Sequence, residues 1–153
     1  VDAMLERFDT DVLAFSPRVL VTMGGVNNFR EGGTAAHIIK VLAQIRERCR
    51  VNRIVPVFVT AAPINPDLMA GAYGMETPTP GWRKQQLLLN DWIMRQLYAV
   101  DVTSEITDED GWLRADRTTD GLHPDMEGKK YIGETIGQYL VRNFSQFIDA
   151  GKK

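Results

Sequence analysis

Apolar residues recur at three- and four-residue intervals over the first fourteen positions (Met4, Leu5, Phe8, Val12, Leu13), which predicts a helix stopped by Ser16-Pro17. The pattern then changes. Residues 18–23 form a short, nearly continuous run of β-branched and apolar side chains, as expected of a strand buried on both faces of a parallel sheet. Gly24 and Gly25 let the backbone turn sharply at its end, and residues 24–33 read as a loop leading to Thr34, a predicted N-cap. The next helix carries Ala35, Ile38, Leu42, Ile45 and Cys49 along one face, with Arg46, Glu47 and Arg48 mostly opposite. Residues 54–60 predict a second strand. Pro56 lacks an amide donor, so a bulge is expected there, or pairing concentrated beyond it. Residues 61–81, holding Pro63, Pro66, Pro78 and Pro80, read as a long connection of the kind that is usually functional or mobile. Helical spacing returns over 82–97 (Trp82, Leu89, Ile93, Leu97), and 98–102 predicts a third short strand. The polar stretch 103–119, with Asp108-Glu109-Asp110, reads as a solvated loop. Asp125 is placed to cap a last helix lined by Ile132, Ile136, Leu140, Phe144 and Ile148.

Helices alternating with strands imply an α/β fold, with right-handed crossovers on a mostly parallel sheet. The 153 residues suit one domain, 1–153, without repeats, low-complexity segments or internal linkers. A composition of 44% hydrophobic and 25% charged residues is that of a globular protein in water. The net charge of −2 provides no electrostatic case for nucleic acid or an anionic membrane as partner. No apolar run approaches membrane-spanning length, and no signal-peptide pattern opens the chain, so its location is left unassigned. Cys49, the sole cysteine, excludes an internal disulfide and a cysteine-built zinc site; in an apolar stripe it is expected to be core filler. His37, on the first turn of its helix, is expected at the surface.

The candidate chemistry lies in Asp120-Gly121-Leu122-His123-Pro124. A carboxylate three residues before an imidazole, with a glycine between and a proline after, describes a tight turn leading into a helix. Such a turn can bring Asp120 to one ring nitrogen of His123 while the other faces a cleft, which is the base-and-orienter half of a nucleophilic triad. Taken alone, the same pattern is more often a helix entry with an incidental histidine. A second group changes that balance. Asn27, with Gly25 beside it, follows the first strand directly, where an open α/β sheet places its ligands. Its amide can donate to a developing oxyanion without competing for the proton on His123.

These two blocks resemble those of the SGNH (GDSL) hydrolases, a family of esterases and lipases with a three-layer, flavodoxin-like α/β fold. Gly25-Val26-Asn27-Asn28 is similar to that family's G-x-N-D block; Asp120-Gly121-Leu122-His123-Pro124 is similar to its D-x-x-H block, and Gly128 also fits. The resemblance implies that Asn27 donates to the oxyanion, His123 is the general base and Asp120 orients it. It also implies a small-molecule ester substrate and no metal or organic cofactor. Asn28 stands where the family has aspartate, which bears on loop geometry more than on chemistry.

The family's G-D-S block and its nucleophilic serine are missing. Ser16 precedes a strand, Ser104 is followed by acidic residues and Ser145 lies on the last helix, so none occupies a glycine-bearing strand-to-helix turn. The expectation is therefore the C-terminal part of a longer domain, with the first strands of the sheet missing. The three visible strands would then be the family's third, fourth and fifth. Strand 18–23 would be an exposed edge, free to pair with an N-terminal segment or another chain. Two rivals stand beside the hydrolase: a non-catalytic α/β binding domain keeping the fold without the nucleophile, and, more distantly, a metal site at Asp120, His123 and Asp125.

Overall fold

The computed structural model describes residues 1–74 and 81–149. The chain forms two compact units, each assembled from two separated stretches: 1–61 with 78–101, and 62–77 with 102–153.

The first unit contains the sheet. Strands β1 (Val19–Met23), β2 (Val55–Val59) and β3 (Ala99–Val100) are parallel and lie in the order β1-β2-β3. Among the described residues β1 pairs with β2 alone, leaving its other edge open as expected. Helices α4 (Ala35–Val51) and α6 (Trp82–Met94) pack against each other and against β2. Burial on α4 follows the predicted stripe through Ile38, Leu42, Ile45 and Cys49, with Val41 added. Burial pushes the Cys49 thiol up to about 11, consistent with a core role. Thr34 caps α4, its side chain accepting from the His37 amide, and the exposed His37 ring lies 2.7 Å from Asp2 Oδ1. Polar groups on the buried side of α6 hold the end of the second strand: Asn90 accepts from the Ala61 amide at 2.8 Å, and Gln86 Nε2 donates to the Ala61 carbonyl at 3.0 Å.

Several local expectations give way. Pro56 causes no bulge, and the β1–β2 ladder runs through Leu20↔Pro56, whereas the pairing of β2 with β3 does lie beyond the proline, at Phe58 and Val59. Alternate amides along β2 face opposite neighbours. Val55 donates towards β1, to the Arg18 carbonyl, whereas Phe58 and Thr60 donate to Tyr98 and Val100. Pro56 therefore faces the β3 side one pair before β3 begins, where no acceptor waits. The predicted opening helix is broken into α1 (Asp2–Glu6), α2 (Phe8–Asp11) and a 3-10 turn at Leu13–Phe15; Asp9, Thr10 and Asp11 are weak helix formers. The stretch after β1 is not all loop, since Val26–Arg30 form a short helix, α3. Helix α6 ends at Met94, and Leu97, expected on its buried face, is 86% exposed. The third strand is two residues long where five were expected.

The second unit is built from α5 (Pro66–Tyr73), the segment from Val102 onward and α7 (Met126–Asp149), around a core that includes Ile64, Met69, Ile106, Leu113 and Leu122. Two corrections fall here. The expected long connection contains α5: Asn65 accepts from the Leu68 amide, Pro66 opens the first turn, and Gly74 closes the helix at φ 61°. Residues 75–80 of that connection lie outside the described residues. The expected solvated loop at 103–119 is exposed only in part: Ser104, Glu105, Glu109, Asp110, Ala115, Asp116 and Thr119 face water, whereas Ile106 and Leu113 are fully buried. Asp108 turns the tip by accepting from the Asp110 and Trp112 amides. Asp125 caps α7 as expected, accepting from the Gly128 amide at 2.7 Å. The Ile148 side chain lies outside the described residues.

Leu89 is fully buried on α6, and a Cβ built on Gly25 would come within 2.8 Å of its Cδ2. Leu89→Ala is expected to lower stability by about 2–5 kcal/mol in urea denaturation, the usual range for a buried Leu-to-Ala cavity.

Candidate active site

The turn before α7 is closed by side-chain-to-backbone bonds. Thr118 Oγ1 accepts from the Gly121 amide at 2.9 Å and donates to the His123 carbonyl at 2.8 Å. Gly121 has φ 75°, and a Cβ there would run into Asn65 O and Met69 N, so glycine is required both by conformation and by the approach of α5. The Asn65 amide donates to the Gly121 carbonyl at 2.7 Å, fastening the start of α5 to the turn.

This turn brings Asp120 and His123 together. The Asp120 Oδ2 to His123 Nδ1 distance is 2.7 Å. Asp120 Oδ1 accepts from the Leu122 amide at 2.9 Å and the His123 amide at 2.8 Å, and Tyr73 Oη donates to Oδ2 at 2.9 Å. Partial burial by itself would raise the Asp120 carboxyl. The His123 ring, the His123 and Leu122 amides and the Tyr73 hydroxyl outweigh it and hold the group well below the usual carboxylate range. Asp120 is therefore an anion that can only accept, so Nδ1 carries the ring proton and Nε2 is left as the basic nitrogen. Nε2 has no hydrogen-bond partner among the described residues, and the side chain is 60% exposed.

The other candidates belong to the first unit. Gly25, at φ 119°, occupies the N-cap of α3, and Asn27 is exposed in that helix's first turn, its side chain making no hydrogen bond among the described residues. Asn28 is tied down instead, donating to Asp2 Oδ2 at 3.1 Å. Of the serines, Ser16 has a left-handed backbone at the end of the 3-10 turn, Ser104 Oγ lies 2.9 Å from Tyr131 Oη, and Ser145 is exposed on α7. Among the described residues, no three His, Cys, Asp or Glu side chains gather as metal ligands. Asp125, the third member of the rival metal set, serves as the α7 cap.

Three members of the arrangement were not anticipated: Tyr73, Thr118 and Asn65. The signal for α5 was available, because Asn65-Pro66-Asp67 is a helix start and Gly74 a helix stop. The prolines of 61–81 mark a loop by composition, yet Pro66 opens the helix that carries Tyr73.

A family model described as GDSL-like Lipase/Acylhydrolase family matches residues 1–131. The chain is similar to a provisionally named acylhydrolase from Bacteroides fragilis, with TM-score 0.75 and 22% identity over 90% of this chain and 68% of that one. A GDSL-like lipase from Bacteroides thetaiotaomicron gives TM-score 0.73 and 21% identity over 90% and 69%. The lipase/acylhydrolase from Enterococcus faecalis gives TM-score 0.63 and 17% identity over 91% and 69%. No curated protein matches the chain. No helix of the described residues is long and apolar enough to cross a membrane.

A carboxyl held low in the folded chain stabilises it above the unfolded value near 3.9, and that stabilisation is lost as pH falls through the folded value. Asp120→Asn removes the charge. The stability gap between wild type and Asp120→Asn should be widest near neutral pH and narrow progressively as pH falls below about 4, as read from urea midpoints across that range.

Proposed function

This chain belongs to the GDSL-like lipase/acylhydrolase family and has the parallel-sheet α/β fold of those hydrolases, and on that premise we propose that it forms the base-bearing part of an acyl-ester hydrolase. The reading is supported above all by the 2.7 Å Nδ1···Oδ2 contact on an exposed imidazole whose Nε2 has no partner among the described residues. The nucleophile is a serine supplied from outside residues 1–153. Its Oγ attacks the ester carbonyl carbon while Nε2 of His123 takes the hydroxyl proton, and Asp120 holds Nδ1–H and stabilises the imidazolium. The carbonyl oxygen becomes an oxyanion, to which Asn27 donates its side-chain N–H, with Gly25 shaping the turn beside it. Collapse breaks the carbon–oxygen bond to the alcohol, which leaves with the Nε2 proton. Water then takes the alcohol's place: Nε2 accepts its proton, the hydroxide attacks the acyl carbon, and the acid departs as serine recovers its proton.

The substrate class is a small-molecule ester. The rival reading, a binding domain that keeps the fold without the nucleophile, is favoured by one observation: none of Ser16, Ser104 and Ser145 hydrogen-bonds to His123 among the described residues.

The two readings separate on a chromogenic ester. Residues 1–153 alone should show no serine-dependent turnover, whereas protein that includes the serine-bearing segment should hydrolyse the ester. In that protein, His123→Ala should remove most of the turnover, about a thousandfold or more. Asn27→Ala should cost about a hundredfold or more in kcat, the usual size for one oxyanion donor. Absence of hydrolysis across short and long acyl esters in correctly folded protein would overturn the hydrolase reading, as would activity that survives His123→Ala.

A further inference from the structure

A carboxylate offers about four lone-pair positions. At Asp120 all four are taken. Oδ1 receives the Leu122 and His123 amides, and Oδ2 receives the His123 ring at 2.7 Å and the Tyr73 hydroxyl at 2.9 Å. Thr118 Oγ1, 3.4 Å from Oδ1, spends its proton on the His123 carbonyl at 2.8 Å. Among the described residues Tyr73 is thus the single contribution to this carboxylate from outside the turn itself. Its oxygen also lies 3.4 Å from His123 Nδ1, so the hydroxyl flanks the Nδ1–H···Oδ2 bond. Asp120 and Tyr73 are the titratable groups that contact the ring among the described residues.

Placement of the tyrosine follows from α5. Asn65 and Met69, on the first turns of the helix, close onto Gly121, and Tyr73 stands one turn beyond Met69 on the same face. Gly74, in the left-handed region, ends the helix immediately afterwards. The helix therefore meets the Asp120–His123 turn twice: by backbone at Gly121 and by side chain at Asp120.

We propose that Tyr73 is a positioning residue for the His123 base. Its hydroxyl holds Oδ2 in line with Nδ1–H and occupies the acceptor site through which water would otherwise reach that bond. This role rests on the hydrolase reading. The two amides on Oδ1 and the ring on Oδ2 all belong to the turn itself, and the bond from Tyr73 ties Oδ2 to a separate helix as well. When Oδ2 is held, the imidazole keeps the tautomer and direction that leave Nε2 facing the substrate.

Tyr73→Phe tests this, since the side chain is 41% exposed and phenylalanine differs only by the hydroxyl. In proton NMR of the chain, the Nδ1–H signal of His123 should exchange with solvent faster in Tyr73→Phe than in wild type. The ring protons of His37, the chain's other histidine, should be unaltered, and the far-UV spectrum should be the same. In protein carrying the serine-bearing segment, kcat should fall roughly two- to tenfold at unchanged KM, the size expected for one hydrogen bond lost from an orienting group. Equal Nδ1–H exchange in the two proteins would overturn the assignment, as would an effect on KM with kcat unchanged. Turnover absent in every variant would refute the hydrolase reading instead, and the exchange measurement, which needs no turnover, would still decide the role of Tyr73.

Discussion

The arrangement around His123 depends on keeping Asp120 ionised in a partly buried place. Removing a carboxylate from water is costly, and here the cost is offset by donors already in place: two amides from its own turn, one ring nitrogen and one phenol. The amides come without extra ordering, because the turn that places His123 also points the Leu122 and His123 N–H groups back at Oδ1. Thr118 closes the same turn from the other side. Local backbone geometry thus brings Asp120 to His123, and the Tyr73 hydroxyl adds a donor to Oδ2 from outside the turn.

The turn, in its own unit, is supported by α5. Gly121 is the point of contact, and any side chain there would hold the helix away from the chain. The segment 103–119 adds a second support. Its apolar residues Ile106 and Leu113 lie in the core, and the Leu113 amide donates to the Ile64 carbonyl just before α5 begins. A stretch dominated by polar residues is therefore ordered by two buried apolar side chains and by its backbone bonds.

In the first unit the equivalent constraint is the close approach of Leu89 to Gly25. The left-handed glycine lets the chain leave β1 and enter α3 at once, so Asn27 stands on a short helix and not in a loose loop. Family membership brings an expectation of ester chemistry, but a fold alone does not specify a reaction. Chemistry needs particular groups, and the chain offers an anionic acceptor, a ring with one committed nitrogen, and a neutral amide with no hydrogen bond among the described residues.

Much of this was legible along the chain. The continuous apolar runs at 18–23 and 54–60 form parallel strands, though β1 on its open edge is half-buried save for Thr22; the stripe from Ala35 to Cys49 is the core face of α4, and Thr34 and Asp125 cap as their side chains allow. Each of these depends on neighbours within a few residues, where steric preference and hydrogen-bonding capacity act directly. The Asp120–His123 pair was legible for the same reason, being a three-residue relation closed by a glycine. What the residue order left open was decided by contacts between distant segments. Pro56 passes without a bulge because β3 starts two residues later, and Leu97 is exposed because α6 ends before reaching it. Tyr73 meets Asp120 across forty-seven positions of sequence. No local pattern encodes that meeting, because it requires α5 to form, to seat on the bare backbone of Gly121, and only then to present its last side chain to the carboxylate.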